Sequence, residues 1–441
     1  MRAAERTQRP IERAASGRSR RRRRSLGADF DRLWHAYAVS TLGSAVGSGA
    51  LPLVAVLVLH ASALRVSLLA AVSGLASAVI LFPLGPRIDA RRKRPIMVIS
   101  DLVRCAALLS VPLAAAAGLL TYPQLLIVGV VQTAATLTFT AASGAHLKGL
   151  LPPGDRAEGN ARLESVFWLA QSSGPPVGGV LVGWFGGTVT LLVDALSYLV
   201  SAAWIRRIRR PETTPSGAMR AGATPAPGRA GVPGRYAELT AGWRYLLGHA
   251  DLRMLFWNSL LFGGPVMLVS PLLAVLMLRE LGLAAWEYGL ALGVPCLGAV
   301  LGARLAPPLT RRLGLRRMLL LFGALRAPWL VLLAFTPAGP AGLPVILLAE
   351  TGLLFGAGGF NPSFATFRLA ATEDRLMARV LAAWSTGSKV AQPLFIAAGG
   401  LLAAATSTRL AIGVAGLLCA ASTLLLPWRA TAAGADPVAS V

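Results

Sequence analysis

Five ionisable side chains stand inside long apolar runs: Arg104, Asp194, Arg326, Glu350 and Lys389. In a bilayer each would cost ~2.5–3.5 kcal/mol on insertion scales, so each is expected to have a partner or a task. Arg326 and Glu350 fall on consecutive apolar runs of one hairpin, and an ion pair between them is the expected arrangement. A Glu350 that faced an open cavity would instead be placed to carry a proton. Asp194 reads mainly as a structural acid, and Lys389 equally as a substrate contact or one member of an interhelical pair. No metal chemistry is expected: the four histidines, His35, His60, His146 and His249, lie near run ends, and Cys105, Cys296 and Cys419 are far apart. The chain has no Gly-x-x-x-x-Gly-Lys phosphate loop, so neither a nucleotide nor any other cofactor is expected, and the chain does not read as an enzyme.

The elements that must position these charges are transmembrane helices. The chain is 55% hydrophobic and only 14% charged, with mean hydropathy +0.61, well below the ~25% charge of a soluble domain. Apolar runs of the ~20 residues that cross ~30 Å of hydrocarbon recur along it. The spacing predicts an all-α membrane protein with about twelve spans in two pseudo-symmetric six-helix halves. Residues 1–30 form a basic tail, 31–205 the first half, 206–250 a linker, 251–428 the second half and 429–441 a C-terminal tail. The linker ends in an amphipathic stretch, Tyr236 to Leu247, expected on the membrane surface.

A net charge of +24 invites a nucleic-acid reading, but its distribution argues otherwise. If the spans alternate, nearly all of the 43 Lys and Arg fall on one side, the positive-inside pattern. That places both termini in the cytoplasm and the chain in the cell membrane, with no nucleic-acid partner. The arginine run in the tail, Arg20 to Arg24, either fixes topology or draws in anionic lipid, at about 1 kcal/mol per basic residue. No cleavable leader is expected in so basic a start.

The halves repeat. Arg94 precedes Arg104 by ten residues and Arg316 precedes Arg326 by the same ten, at an offset of 222. Pseudo-symmetric halves are a transporter architecture, with the substrate site between them near the midplane. At the basic turn GPRIDARRKR, Gly85 to Arg94, Asp89 with Arg91, Arg92 and Arg94 forms either a charged latch holding the halves together on the inner side or a solvated loop that fixes topology. In the fifth span, Gly174, Gly178 and Gly179 permit close helix approach, and Pro175 and Pro176 are expected to kink the helix. Trp168, Gln171, Trp257, Asn258, Asn361, Trp384 and Gln392, with Gln132, are the candidate lining of a cavity for an amphipathic small molecule.

These motifs together resemble the major facilitator superfamily, in a branch similar to the enterobactin exporter and related drug-efflux proteins. The resemblance rests on the basic turn continuing into Asp101-Leu102-Val103-Arg104, on Gly174 to Gly179, on Asp194 to Ala202, and on Asp374-Arg375-Leu376 with Arg379. Ala90 stands where the family usually has an arginine, Ser44 where many relatives carry an acid, and the fourth span has no interior basic residue. The resemblance implies a monomeric secondary active transporter that exports a drug, siderophore or natural product by proton antiport. An importer or lipid facilitator of the same fold, and a non-transporting membrane sensor, remain the alternatives.

Overall fold

The computed structural model describes residues 26–212, 232–373 and 376–428. Among them nearly every residue is helical and none lies in a strand. The basic tail, the C-terminal tail, most of the linker and the pair Asp374-Arg375 lie outside the described residues.

The first half is α1 (Ala28–Gly47), α2 (Ala50–Leu57), α3 (Ala63–Ala90), α4 (Lys93–Ala116), α5 (Tyr122–Leu150) and α6 (Arg156–Arg206). After the linker helix α7 (Val232–Gly248), the second half is α8 (Ala250–Val275), α9 (Ala285–Gly293), α10 (Pro295–Leu313), α11 (Leu315–Leu325), α12 (Gly342–Ala370), α13 (Met377–Ala405) and α14 (Thr408–Ala421). Ten of the described helical stretches are long and apolar enough to cross a membrane. The other two expected spans are also helical: one lies in α3, whose side chains are described in part, the other in α6 before Gly186.

Local chemistry sets the breaks. Two spans share α6 because Gly186 turns the chain at φ 83°, a conformation that side chains disfavour. The ninth span stops being α-helical after α11, where Pro328 lacks the amide a continuing helix needs, and resumes as a 3₁₀ stretch, Trp329–Phe335. The Ser407 hydroxyl starts α14 by accepting the Leu410 amide at 3.2 Å.

Packing divides the molecule by end. At the end of the short turns with few charges, one continuous core draws on both halves, from Ala50, Leu69 and Val182 to Leu272, Tyr288 and Ile412. At the opposite, basic end each half has its own cluster: Phe30, Met97, Phe139 and Leu147 in the first, Phe256, Met318, Phe322 and Trp384 in the second. The linker helix belongs to the second cluster. Its Leu246 is fully buried, Gly242 rests on the Arg379 backbone, and the Tyr245 hydroxyl donates to the Ala371 carbonyl at 3.1 Å. It therefore starts earlier than the amphipathic pattern suggests and sits on protein, not simply on the membrane surface.

The halves meet where α6 crosses α9 and α3 runs along α13. At the first crossing Gly179 and Gly289 touch backbone to backbone, and a Cβ on either would overlap the other. Gly289→Ala is therefore expected to lower the melting temperature of the purified protein, by the ~1–3 kcal/mol typical of overpacking. Gly263→Ala faces open space and gains helix propensity, so it should leave the temperature unchanged or raise it. Equal falls in both would contradict this contact.

Candidate functional site

In the first half, α4 turns Arg104 into the bundle. It is buried, its guanidinium donates to Asp101 Oδ1 and to Ser40 Oγ at 3.0 Å, and it lies over the rings of Phe139 at 4.8 Å and Tyr198 at 4.2 Å. Asp101 reaches it because residues three apart share one helix face. Next to this pair, α6 holds Asp194. The Tyr198 hydroxyl donates to Asp194 Oδ2 at 3.3 Å and lies 2.9 Å from Ser44 Oγ. Gly43 and Gly47 let α1 lie against this carboxylate: a Cβ on Gly47 would overlap it. Asp194 Oδ1 is buried and makes no hydrogen bond.

The second half wraps its arginine in the same manner with different partners. Arg326, at the end of α11, donates to Asn258 Oδ1 at 2.7 Å and lies over Phe262 at 3.9 Å and Phe360 at 3.6 Å. Asn258 is fully buried and donates its own amide to the Ser422 carbonyl at 2.6 Å. The expected ion pair of Arg326 with Glu350 is therefore corrected: a neutral amide fills that place, in a pocket closed by two aromatic faces. Glu350 is partly buried, with no ion pair or hydrogen bond to it among the described residues. Lys389 is exposed on α13 and likewise shows no interhelical pair there.

A cavity of about 590 Å³ lies between the halves. Its polar wall comes mainly from the first half: Ser44, Ser73, Gln132, Thr133, Asp194 and Tyr198. Met267, Ser270, Tyr288 and Ile396 close it from the second. The volume and the mix of apolar wall with a few polar groups are those of a small-molecule site.

The sequence-based lining fares unevenly. Gln132 does line this cavity, and so does Asp194, which the sequence reading took mainly as a structural acid. Trp384 and Asn258 do not: Trp384 packs edge-on against Phe256 in the core, and Asn258 serves Arg326. Trp168, Gln171, Trp257, Asn361 and Gln392 are exposed and do not border it; Trp168 donates to Glu164 at 2.9 Å. The residues that replace them, Ser73, Thr133, Tyr198, Ser270 and Tyr288, were missed. Their signal was weak, being small hydroxyls and tyrosines within apolar runs, where Ser and Thr often bond their own helix. Ser73 and Thr133 do so, to Leu69 and Gly129 carbonyls at 2.6 and 2.9 Å.

The α6 backbone keeps helical dihedrals through Pro175 and Pro176 and departs from them at Gly186, where the chain turns between its two spans. The glycines do allow close approach: Gly174 and Gly178 lie on the Ala45–Val46 backbone of α1, and Gly179 on Gly289. In the basic turn, the Asp89 side chain lies outside the described ones. Arg91 and Arg92 are exposed. Arg94 does not bridge the halves: its guanidinium donates to the Ile205 carbonyl at 3.1 Å and to that of Arg206, tying α4 to the end of α6 in the same half.

A sequence model described as Major Facilitator Superfamily matches residues 33–373 and again 255–439. The chain belongs to that superfamily. Solved structures of the superfamily's fold cover almost all of it. A bacterial homologue of the iron transporter ferroportin, in an inward-facing state, has TM-score 0.66 at 17% identity over 89% of this chain and 97% of that one. A bacterial homologue of the human lysosomal transporter Spinster, inward-facing and unoccupied, has TM-score 0.65 at 14% identity over 90% and 94%. The nucleoside transporter NupG has TM-score 0.62 at 12% identity over 92% and 100%. At these identities the likeness is one of fold alone. Among curated proteins none matches the chain.

The arginine pocket is directly testable. Asn258→Leu leaves the Arg326 guanidinium buried without its acceptor and should destabilise the purified protein by about 1–3 kcal/mol. Glu350→Gln neutralises an acid that has no described partner and should leave stability unchanged or raise it. Thermal unfolding in detergent gives the order, and the reverse order would restore the Arg326–Glu350 pair.

Proposed function

We propose that this superfamily member is a secondary active transporter that exports an amphipathic small molecule, such as a drug, siderophore or natural product, in exchange for protons. The observation that carries the proposal is the cavity between the halves, with the Asp194 carboxylate on its wall and one oxygen of that carboxylate unpartnered. A buried carboxylate without a full set of partners can take up a proton or hold a substrate cation, but not both at once. Competition for one site is the simplest chemical basis of exchange. The apolar remainder of the wall suits the hydrophobic part of such a substrate.

Alternating access follows from the packing. The positive-inside distribution puts the basic end in the cytoplasm. The halves share a core at the other end and have separate cores at the basic end, as a cavity reached from the cytoplasm requires. The turn around Asp89 belongs to the opposite state in this proposal, where it would help to close the basic end. Glu350, without a partner among the described residues, is the next candidate for carrying a proton.

The test is accumulation of a panel of amphipathic compounds in cells with and without the protein. At least one compound should accumulate less in expressing cells, and a proton uncoupler should abolish the difference. Asp194→Asn should abolish it as well, at an unchanged level of protein in the membrane. Equal accumulation across the panel would overturn export, and higher accumulation in expressing cells would reverse the direction.

A further inference from the structure

A second cavity, of about 120 Å³, lies at the basic end of the first half, away from the transport cavity. Its walls are Arg91, Arg92 and Lys93 from the α3–α4 turn, His146 and its neighbours from the end of α5, and Arg210, Pro211 and Glu212 from the root of the linker. A water's share of liquid volume is about 30 Å³, so there is room for a tetrahedral oxyanion.

The linker root is strapped down around this cavity. Asp29, at the start of α1, accepts the backbone amides of Arg209 and Arg210, both at 3.0 Å. Arg210 donates to the Leu150 carbonyl at 2.7 Å. Glu212 Oε1 accepts the Arg94 amide at 2.8 Å and pairs with His146 Nδ1 at 2.8 Å. One acid, engaged by two donors at Oε1 and with Oε2 buried and unpartnered, thus stands against four basic side chains on the same wall. The excess is positive.

Two observations point to a ligand. His146 is only 5% exposed, yet its Nε2 is buried and without a partner. With Nδ1 paired to Glu212, Nε2 accepts from a proton-bearing phosphate oxygen if the ring is neutral and donates to a bare one if the ring is protonated. Arg91 and Arg92 line the cavity and their guanidiniums make no described hydrogen bond or ion pair, so two guanidinium forks are available to planar or tetrahedral oxyanions.

We propose that this cavity binds a phosphate-class oxyanion between the α3–α4 turn, the end of α5 and the linker root. Arg91 and Arg92 supply the charge, and His146 Nε2 the inner hydrogen-bonding atom. Bound there, the anion joins the basic turn to the first residues of the linker. The ligand is either the headgroup of an anionic phospholipid, entering from the inner leaflet, or free phosphate from solution.

Two arms separate the sources. In detergent, the melting temperature of the full chain is followed with sodium phosphate against sodium chloride at matched ionic strength. In nanodiscs of mixed phosphatidylglycerol and phosphatidylcholine, lipids retained on the protein are counted by native mass spectrometry. Arg91→Gln with Arg92→Gln removes only exposed side chains and should leave folding intact. Arg311→Gln with Arg312→Gln, an exposed basic pair of the second half, is the charge-matched control. The expected result is a preference for phosphate or for phosphatidylglycerol that weakens about tenfold in the first variant, the scale of one charge-assisted contact, and persists in the control. Phosphate-specific stabilisation identifies the free ion, and selective retention of phosphatidylglycerol identifies the lipid. No preference in either arm, a preference that survives the first variant, or an equal loss in the control would overturn the site.

Discussion

A guanidinium cannot rest in hydrocarbon unless protein supplies what water did, and this demand shapes both halves. Arg104 and Arg326 meet it alike, with a polar acceptor in the plane of the guanidinium and aromatic rings against its faces. Each arginine gathers helices that are distant in sequence. Arg104 brings α4 to α1, α5 and α6; Arg326 brings α11 to α8, α12 and, through Asn258, the stretch after α14. The two pockets are the fixed points of a repeated plan, and they keep each half a unit that can move as one body.

The halves differ at the acid. The first carries an ion pair, Asp101–Arg104, and beside it Asp194 facing the transport cavity. The second has a neutral partner for its arginine and leaves Glu350 apart. The polar wall of the cavity is correspondingly one-sided. The polar side chains of the wall are concentrated on the first half, while the second contributes mainly apolar closure through Met267, Tyr288 and Ile396. The glycine contact between α6 and α9 brings two backbones together without side chains to interlock, beside the core that the halves share at that end.

The fold was legible because its determinants are one-dimensional. Apolar length, the sidedness of Arg and Lys, and the 222-residue spacing of Arg104 and Arg326 all survive projection onto sequence. The partners of the charges were not. Arg326 and Glu350 lie on neighbouring spans and seemed natural mates, but the helix break before Pro328 leaves Arg326 at the end of α11, where the amide of Asn258 reaches it from α8. Tryptophans mislead for a related reason. A large amphipathic ring serves a cavity, a core or a lipid interface equally well, and Trp384 and Trp168 illustrate two of these fates. Asp194 was visible as a buried acid, but its place on the cavity wall depends on Gly43 and Gly47 letting α1 lie beside it. That is a property of two helices that neither stretch announces alone.

The central claim is that one cavity between two rigid halves is opened to each side of the membrane in turn. Sidedness of labelling at Ser270→Cys, on the second-half wall of that cavity, tests it most directly, with Cys296 replaced by serine to remove the one native thiol that is not buried. In oriented membrane vesicles, a membrane-impermeant maleimide should label this position from the basic side in the resting protein. A transported substrate or an imposed proton gradient should shift labelling toward the opposite side. Labelling from one side only, whatever the substrate or gradient, would contradict alternating access in this protein.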